Sequence, residues 1–243
     1  MVPFQFFLLT SIGISPDLAL RISMGTSLAC IIPTSMSGAY KHHKVNKNIL
    51  KPGLYLGIFG ICGAFIGGFI SKYIPSDILS IIFGILLFIV AIDMIISKGN
   101  VDKKPLIDFN IITACLFGVL VGISSGLLGV GGGIFIIPIL TIILGFSMTE
   151  AVGISSIFIG LSALGGTTSY ILTGLGVNPF PYSIGYISLI NFILIILFSV
   201  PFANIGARIS YKVPEKTLKY VFAVLLIYMS LKMLGFDPLG FLL

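Results

Sequence analysis

A chain of 243 residues in which 57% are hydrophobic and 9% charged cannot cover a water-soluble surface, where about a quarter of all residues are charged. The formal charge of +6 does not point to nucleic acid, because the basic residues sit in short connections between apolar runs, where they act as orientation signals. What remains is an integral, multi-pass membrane protein. Runs such as residues 78–96 are apolar on every face, whereas the strands of a membrane barrel alternate apolar and polar positions. The predicted fold class is therefore all-α.

A bilayer crossing takes about 20 apolar residues, which divides the chain in order. Residues 2–14 form a short first segment with no basic region before it, so they do not read as a signal peptide. A second segment covers 18–40 and ends at the polar connection Lys41-His42-His43-Lys44-Val45-Asn46-Lys47. The third and fourth cover 52–70 and 78–96, and a charged linker follows at 98–108. The apolar stretch 109–145 is too long for one straight crossing at about 1.5 Å per residue, and its glycines divide it into 109–128 and 134–144. Further segments are expected at 150–172, 182–202 and 217–234, giving about eight transmembrane segments. Cys30, Cys62 and Cys115 lie inside apolar segments without ligand spacing and read as small buried hydrophobes.

The dividing stretch is Gly126-Leu127-Leu128-Gly129-Val130-Gly131-Gly132-Gly133, followed by Pro138. Two readings compete for these glycines. Gly118, Gly122 and Gly126 recur at four-residue spacing, as expected where two helix backbones approach closely. Gly131, Gly132 and Gly133 are consecutive, and no helix face needs that. Irregular backbone at membrane depth is tolerated where protein buries it or where it lines a cavity, and freed N–H groups at a broken helix suit an anion. On that reading, alanine at Gly132 should weaken transport and leave the protein folded, whereas Gly118→Leu should harm assembly.

The two halves of the chain are related. Ser23-Met24-Gly25-Thr26-Ser27-Leu28 aligns with Ala151-Val152-Gly153-Ile154-Ser155-Ser156, and Gly38 falls on Gly166 at the same offset. Gly67-Gly68-Phe69-Ile70-Ser71 aligns with Gly206-Ala207-Arg208-Ile209-Ser210, and Val2-Pro3 with Ile137-Pro138. The predicted organisation is a first membrane repeat at 1–97, a cytoplasmic linker at 98–108 and a second repeat at 109–243. Met1 stands where the first repeat should carry its own glycine break. Either the first helix of that repeat has been lost, or the true N-terminus lies upstream; the second explanation is favoured, since a two-fold transporter would not keep half a site.

The segment Ser125 to Gly133 with Pro138, set in this repeat, resembles the signature of the TauE/SafE sulfite exporter family, also called the 4-toluene sulfonate uptake permeases. Gly25-Thr26-Ser27-Leu28 and Gly153-Ile154-Ser155-Ser156 resemble its second recurring motif. The similarity covers nearly the whole chain. It implies a multi-pass transporter of the cell membrane whose relatives move sulfite, sulfoacetate and other small sulfur-containing or organic anions. This chain departs from the pattern in lacking the first glycine motif and in having Ile154 where the first repeat has Thr26.

Lys41, Lys44, Lys47 and Lys51 come without an acid and place their connection in the cytoplasm. Alternation then puts Lys72 to Asp77 outside, and the linker with Lys98, Lys103 and Lys104 inside. The cluster Arg208, Lys212, Lys216 and Lys219 is also inside only if 109–144 starts and ends on one face, hinged at the glycines. The halves are then inverted.

Polar groups inside the segments nominate the site. Ser23, Thr26, Ser27, Ser35 and Ser37 lie in the second segment, and Ser155, Ser156, Ser162, Thr167, Thr168 and Ser169 in its repeat-mate. Any one of these can simply bond back to its own helix. As a cluster beside a glycine break they suit an oxyanion, held without a fixed charge that would impede release. The candidate substrate-binding residues are Gly129, Gly131, Gly132, Gly133, Gly25, Thr26, Ser27, Gly153, Ser155, Ser156 and Asn191.

Arg21 and Glu150 flank the Gly-Ser motifs and read as interfacial, while Asp93 and Lys232 read as snorkelling to the interface. His42 and His43 read as facing water, with proton coupling as the alternative role for one of them. An enzyme is not expected, since there is no paired carboxylate, metal cluster, nucleophile with a base or P-loop lysine. No cofactor is expected either. The remaining classes are a secondary transporter of a small anion, probed by saturable flux and counterflow, an anion channel, and an accessory membrane subunit of a sulfur-metabolism complex. The expected partners are that anion and the lipid bilayer; a homo-oligomer is compatible with the sequence.

Overall fold

The computed structural model describes residues 1–96, 107–177, 182–210, 223–224, 227–228, 230–231 and 233–235. Most of the predicted linker at 98–108, most of the last predicted segment, and Lys103, Lys104, Lys212, Lys216, Lys219 and Lys232 lie outside the described residues, as do the side chains of Asp93 and Arg208. Two compact units are formed, Met1–Tyr73 with Asn100–Ala203, and Ile74–Gly99 with Asn204–Leu243. Each unit draws on both halves of the sequence.

In the first unit, α1 (Val2–Ser11) is followed by the long α2 (Pro16–Val45) and by α3 (Leu50–Ser71). Pro16 opens α2 at a position where its missing N–H costs nothing. The helix then runs into the residues read above as a polar connection, and Lys44 Nζ lies 4.6 Å from the centroid of the Tyr40 ring, one turn back. His42 and His43 therefore sit in the last turn of a helix, half-buried rather than facing water. Lysine and histidine do not break a helix whose apolar face is still packed.

Asn110 and Thr113 form a capping box at the start of α5 (Ile111–Leu128), and Ser147 and Glu150 form another at the start of α7 (Met148–Thr173). Glu150 is thus spent on a helix cap. Between these helices the chain breaks at the glycines, makes a short α6 (Gly133–Pro138), and relaxes into a π-helical turn over Ile139–Ile143. Pro138 supplies no N–H, which loosens the ladder at that point. The Ile107 N–H donates to the Ile143 carbonyl at 3.2 Å, and the Phe109 and Phe146 rings meet edge-on at 5.7 Å. The segment from α5 through α6 therefore starts and ends at one place, as a hinge at the glycines requires.

Helix α3 lies between α5 and α7 and parallel to both. A Cβ added at Gly118 would lie 2.7 Å from the Leu56 carbonyl oxygen, and one at Gly122 would lie 2.6 Å from that of Gly60; one at Gly126 would collide with that of Ala64. The four-residue spacing is thus a backbone-to-backbone seam, as the packing reading expects. On its other side, Gly53 receives Ile157, Gly57 receives Leu161 and Gly68 receives Ser169. Leu56, Val121, Ile136, Leu140, Ile154 and Phe158 fill the core between these elements.

Helices α2 and α7 pack antiparallel. Gly25 faces Tyr170, Leu28 faces Gly166, Gly38 faces Ser156, and His42 faces Gly153.

One element departs from the all-helical expectation. Ser183–Ile184 pairs antiparallel with Ile187–Ser188, forming strands β1 and β2 around a two-residue turn in which Gly185 has φ +58°. Strands this short carry no readable alternation, and the turn glycine alone supplies the signal. Helix α8 (Leu189–Ser210) follows.

In the second unit, α4 (Ser76–Ile96) packs Gly84 against Leu234, and Ser230 Oγ donates to the Gly84 carbonyl at 2.8 Å. Among the described residues four helical stretches are long and apolar enough to cross a bilayer, at Pro16–Lys44, Lys47–Ser71, Ile111–Leu128 and Glu150–Thr173. Val2–Ser11 has 10 residues and at about 1.5 Å per residue is too short to cross alone. Cys30 is buried as expected, but Cys62 is exposed and lines an apolar surface groove with Phe65 and Leu164.

Candidate functional site

The break begins where α5 ends. Gly129 closes the helix in the left-handed conformation, at φ +67°, with its N–H on the Ser125 carbonyl at 3.0 Å. Gly131 and Gly132 are left-handed as well, at φ +79° and +75°, a conformation that costs a residue with a Cβ about 1–2 kcal/mol. The Gly132 carbonyl accepts from Phe135 and Ile136 and starts α6. Among the described residues, the N–H groups of Val130, Gly131 and Gly132 donate to no carbonyl. Three successive donors are therefore left over, with Gly131 and Gly132 buried and Val130 half-buried.

Close packing surrounds them. A Cβ at Gly129 would lie 2.7 Å from Met24, one at Gly131 3.0 Å from Ile159 and 3.2 Å from Ile31, and one at Gly133 2.6 Å from Ile159. At Gly132 it would lie 2.9 Å from Phe158 and 3.0 Å from Val121. The expectation that alanine at Gly132 leaves the fold untouched is corrected here, because the residue is wedged between side chains and left-handed as well.

The predicted site residues do not all come together. Gly25, Thr26 and Ser27 are buried in the third to fourth turn of α2, following Met24, which packs on Gly129. Gly153, Ser155 and Ser156 lie at the far end of the α2–α7 pair, where Gly153 meets His42 and Ile49. Gly25 faces Tyr170 instead, and from Gly153 to Tyr170 the helix rises about 25 Å. The two Gly-Ser motifs thus mark opposite ends of the pair. Asn191 belongs to the first end. Its N–H donates to Ser188 Oγ at 3.4 Å, and the Ser188 N–H donates to Thr26 Oγ1 at 3.1 Å.

Most of the hydroxyls nominated from sequence follow the plainer alternative. Ser23 donates to Ala19, Ser35 to Ile32, Ser155 and Ser156 to Val152, and Thr168 to Leu164, each a carbonyl of its own helix. Ser162 donates across to the Gly131 carbonyl at 3.2 Å and so ties α7 to the break.

Two residues join this end of the molecule without having been nominated. Tyr170 is 1% exposed, and its hydroxyl lies 3.4 Å from the Leu127 carbonyl and 3.3 Å from Met24 Sδ. Arg21 is corrected from interfacial to buried. Its Nη1 donates to the Ser71 carbonyl at 2.8 Å, at the end of α3, and it pairs with Asp17 at 3.3 Å. An ionisable group inside a membrane segment is the signal that could have singled it out. Among the described residues no three His, Cys, Asp or Glu side chains converge to hold a metal ion.

Comparison with known proteins agrees with this architecture. The family model described as "Sulfite exporter TauE/SafE" matches residues 1–233. A Haemophilus influenzae protein named "Probable membrane transporter protein" is 35% identical over 244 residues, covering 96% of this chain and 88% of its own. A Methanocaldococcus jannaschii protein with the same description is 32% identical over 235 residues, covering 96% and 86%. One from Bacillus subtilis is 30% identical over 206 residues, covering 82% and 79%. No solved structure matches at a significant level. The family match over residues 1–233 and the apolar helices agree: the chain belongs to the TauE/SafE family and is a multi-pass membrane transporter.

Proposed function

We propose that this transporter exports a small sulfur-containing or organic anion, sulfite- or sulfonate-like, by a secondary mechanism. The observation that carries the reading is the buried break, with three successive free N–H groups at Val130, Gly131 and Gly132. Successive backbone donors left over inside a low-dielectric interior suit the lone pairs of an oxyanion. The description of the family model supports sulfite among the candidates and outward movement as the direction. Close packing of Ile31, Phe158 and Ile159 on the break favours a carrier that must open over a channel with a standing pore.

Alternating access follows from two inverted repeats of about eight segments in total. Reciprocal contacts support this arrangement. The repeat offset takes position 25 to 153 and position 42 to 170, and Gly25 meets Tyr170 while Gly153 meets His42. The same offset takes 28 to 156 and 38 to 166, and Gly38 meets Ser156 while Gly166 meets Leu28. Contacts that exchange under the repeat are what a two-fold axis between antiparallel helices produces. Gly129, Gly131, Gly132, Gly133, Gly25, Thr26, Ser27 and Asn191 are assigned to one end of the path, and Gly153, Ser155 and Ser156 to the other.

The test is a thermal-unfolding panel on purified protein with sulfite, sulfoacetate, thiosulfate, sulfate and carboxylates. A ligand that binds only the folded state raises apparent stability, by about 2.7 kcal/mol at a hundred times its Kd. Sulfite or a sulfonate is expected to raise the unfolding temperature more than acetate does at equal ionic strength. A uniform response to all salts would count against the assignment.

A further inference from the structure

A polar group buried without a partner in a membrane helix needs an explanation, and Ser125 is such a group. It lies one turn before the break, is 0% exposed, and its hydroxyl has no hydrogen-bond partner among the described residues. The ordinary solution for a helical serine is to donate back to the preceding turn. Ser23, Thr34, Ser35, Ser155, Ser156 and Thr173 all do so. Ser125 does not. Its Cβ lies 3.2 Å from where a Cβ of Gly132 would be, so the unused hydroxyl lies beside one of the residues whose N–H is unused. Ser169 and Thr167 are also unpaired, but Ser169 faces Gly68 and Thr167 lines an apolar groove with Pro33 and Phe192.

We propose that Ser125 is a substrate-binding residue whose hydroxyl completes the donor set of the glycine break for one oxygen of a small oxyanion. This rests on the anion reading given above and adds a side chain to a site otherwise made of backbone. The hydroxyl also supplies what the backbone lacks. As donor and acceptor at once, it can bind a protonated anion oxygen as well as a bare one, so bisulfite and sulfite can share the site.

Ser125→Ala tests the assignment because its two readouts move apart. Removing an unsatisfied hydroxyl relieves a burial cost, so the unliganded variant should unfold at the wild-type temperature or above it. Losing a hydrogen bond to a charged ligand should weaken binding about tenfold or more. The measurement is thermal unfolding with and without sulfite, and in parallel with methanesulfonate, for wild type, Ser125→Ala and Ser199→Ala. Ser199 on α8 has a hydroxyl without a partner among the described residues and is not among the nearest neighbours of Gly129, Gly131, Gly132 or Gly133, so its variant should bind as wild type does. Wild-type affinity in Ser125→Ala would overturn the assignment, and so would a clear drop in its unliganded unfolding temperature, which would reveal a partner inside the protein. Equal weakening in both variants would make the effect a general one and also reject it. Failure of the wild type to respond to either probe would instead remove the anion reading, and the assignment with it.

Discussion

Gly122→Leu is expected to leave no assembled protein. The glycine sits where α5 crosses α3 backbone to backbone, and a Cβ would come within 2.6 Å of the Gly60 carbonyl oxygen and 3.0 Å of the Ala64 nitrogen. Overpacking a core with flexible neighbours costs about 1–3 kcal/mol, but here the obstacle is helical backbone that cannot rotate aside. Relief requires separating α3 from α5, and α3 also carries α7 on its other face. The loss therefore approaches the whole stability of a folded domain, about 5–15 kcal/mol. Gly118→Leu meets the Leu56 carbonyl at 2.7 Å and should behave alike. Gly38→Ala is the contrast, since its new methyl would find only Ser156 Oγ at 3.8 Å. Size-exclusion profiles in mild detergent should show a monodisperse peak for Gly38→Ala and none for Gly122→Leu. A normal peak for Gly122→Leu would show that the α3–α5 seam is wrong.

Changes at Gly132 should abolish transport beyond what they cost in stability. Alanine there must adopt φ near +75° and touch Phe158 and Val121, so a loss of about 1–2 kcal/mol from the left-handed backbone alone is expected. Valine adds branching and should be worse. Stability loss by itself would not identify a site, so the comparison is with Gly84→Ala, whose methyl would press the Leu234 side chain at 2.8 Å in the second unit. Anion flux normalised to folded protein should fall at least tenfold in Gly132→Ala and stay near wild type in Gly84→Ala. Flux that tracks the folded fraction in both variants would reduce the break to a packing device.

What could be read in the sequence, and what could not, divides along physical lines. Three adjacent glycines fit no helix face, and Gly129, Gly131 and Gly132 all prove left-handed. The spacing of Gly118, Gly122 and Gly126 announced a seam, but the identity of the opposite helix is a tertiary fact. Arg21 looked interfacial because it flanks a Gly-Ser motif near the start of a segment, and local sequence hides the Ser71 carbonyl that receives its guanidinium. The hairpin at Ser183–Ile184 and Ile187–Ser188 was invisible because two-residue strands have no period. The most instructive difference concerns the Gly-Ser motifs. Alignment lays Gly25 on Gly153 as though they formed one site, yet antiparallel packing of α2 on α7 sends them to opposite ends. Equivalence along a chain is not proximity in space. Ser125 was legible only as part of a signature; its unused hydroxyl appears once the neighbouring carbonyls are in place.

Passage of an oxyanion by way of the glycine break in an alternating carrier is tested by uptake of sulfur-labelled sulfite into proteoliposomes holding wild type or Gly132→Val, with and without unlabelled sulfite trapped inside. Saturable uptake by the wild type, accelerated by trapped sulfite and absent in Gly132→Val, is the expected result. Uptake that rises linearly with concentration and ignores the trapped anion would describe a channel, and undiminished uptake by folded Gly132→Val would contradict a path through the break.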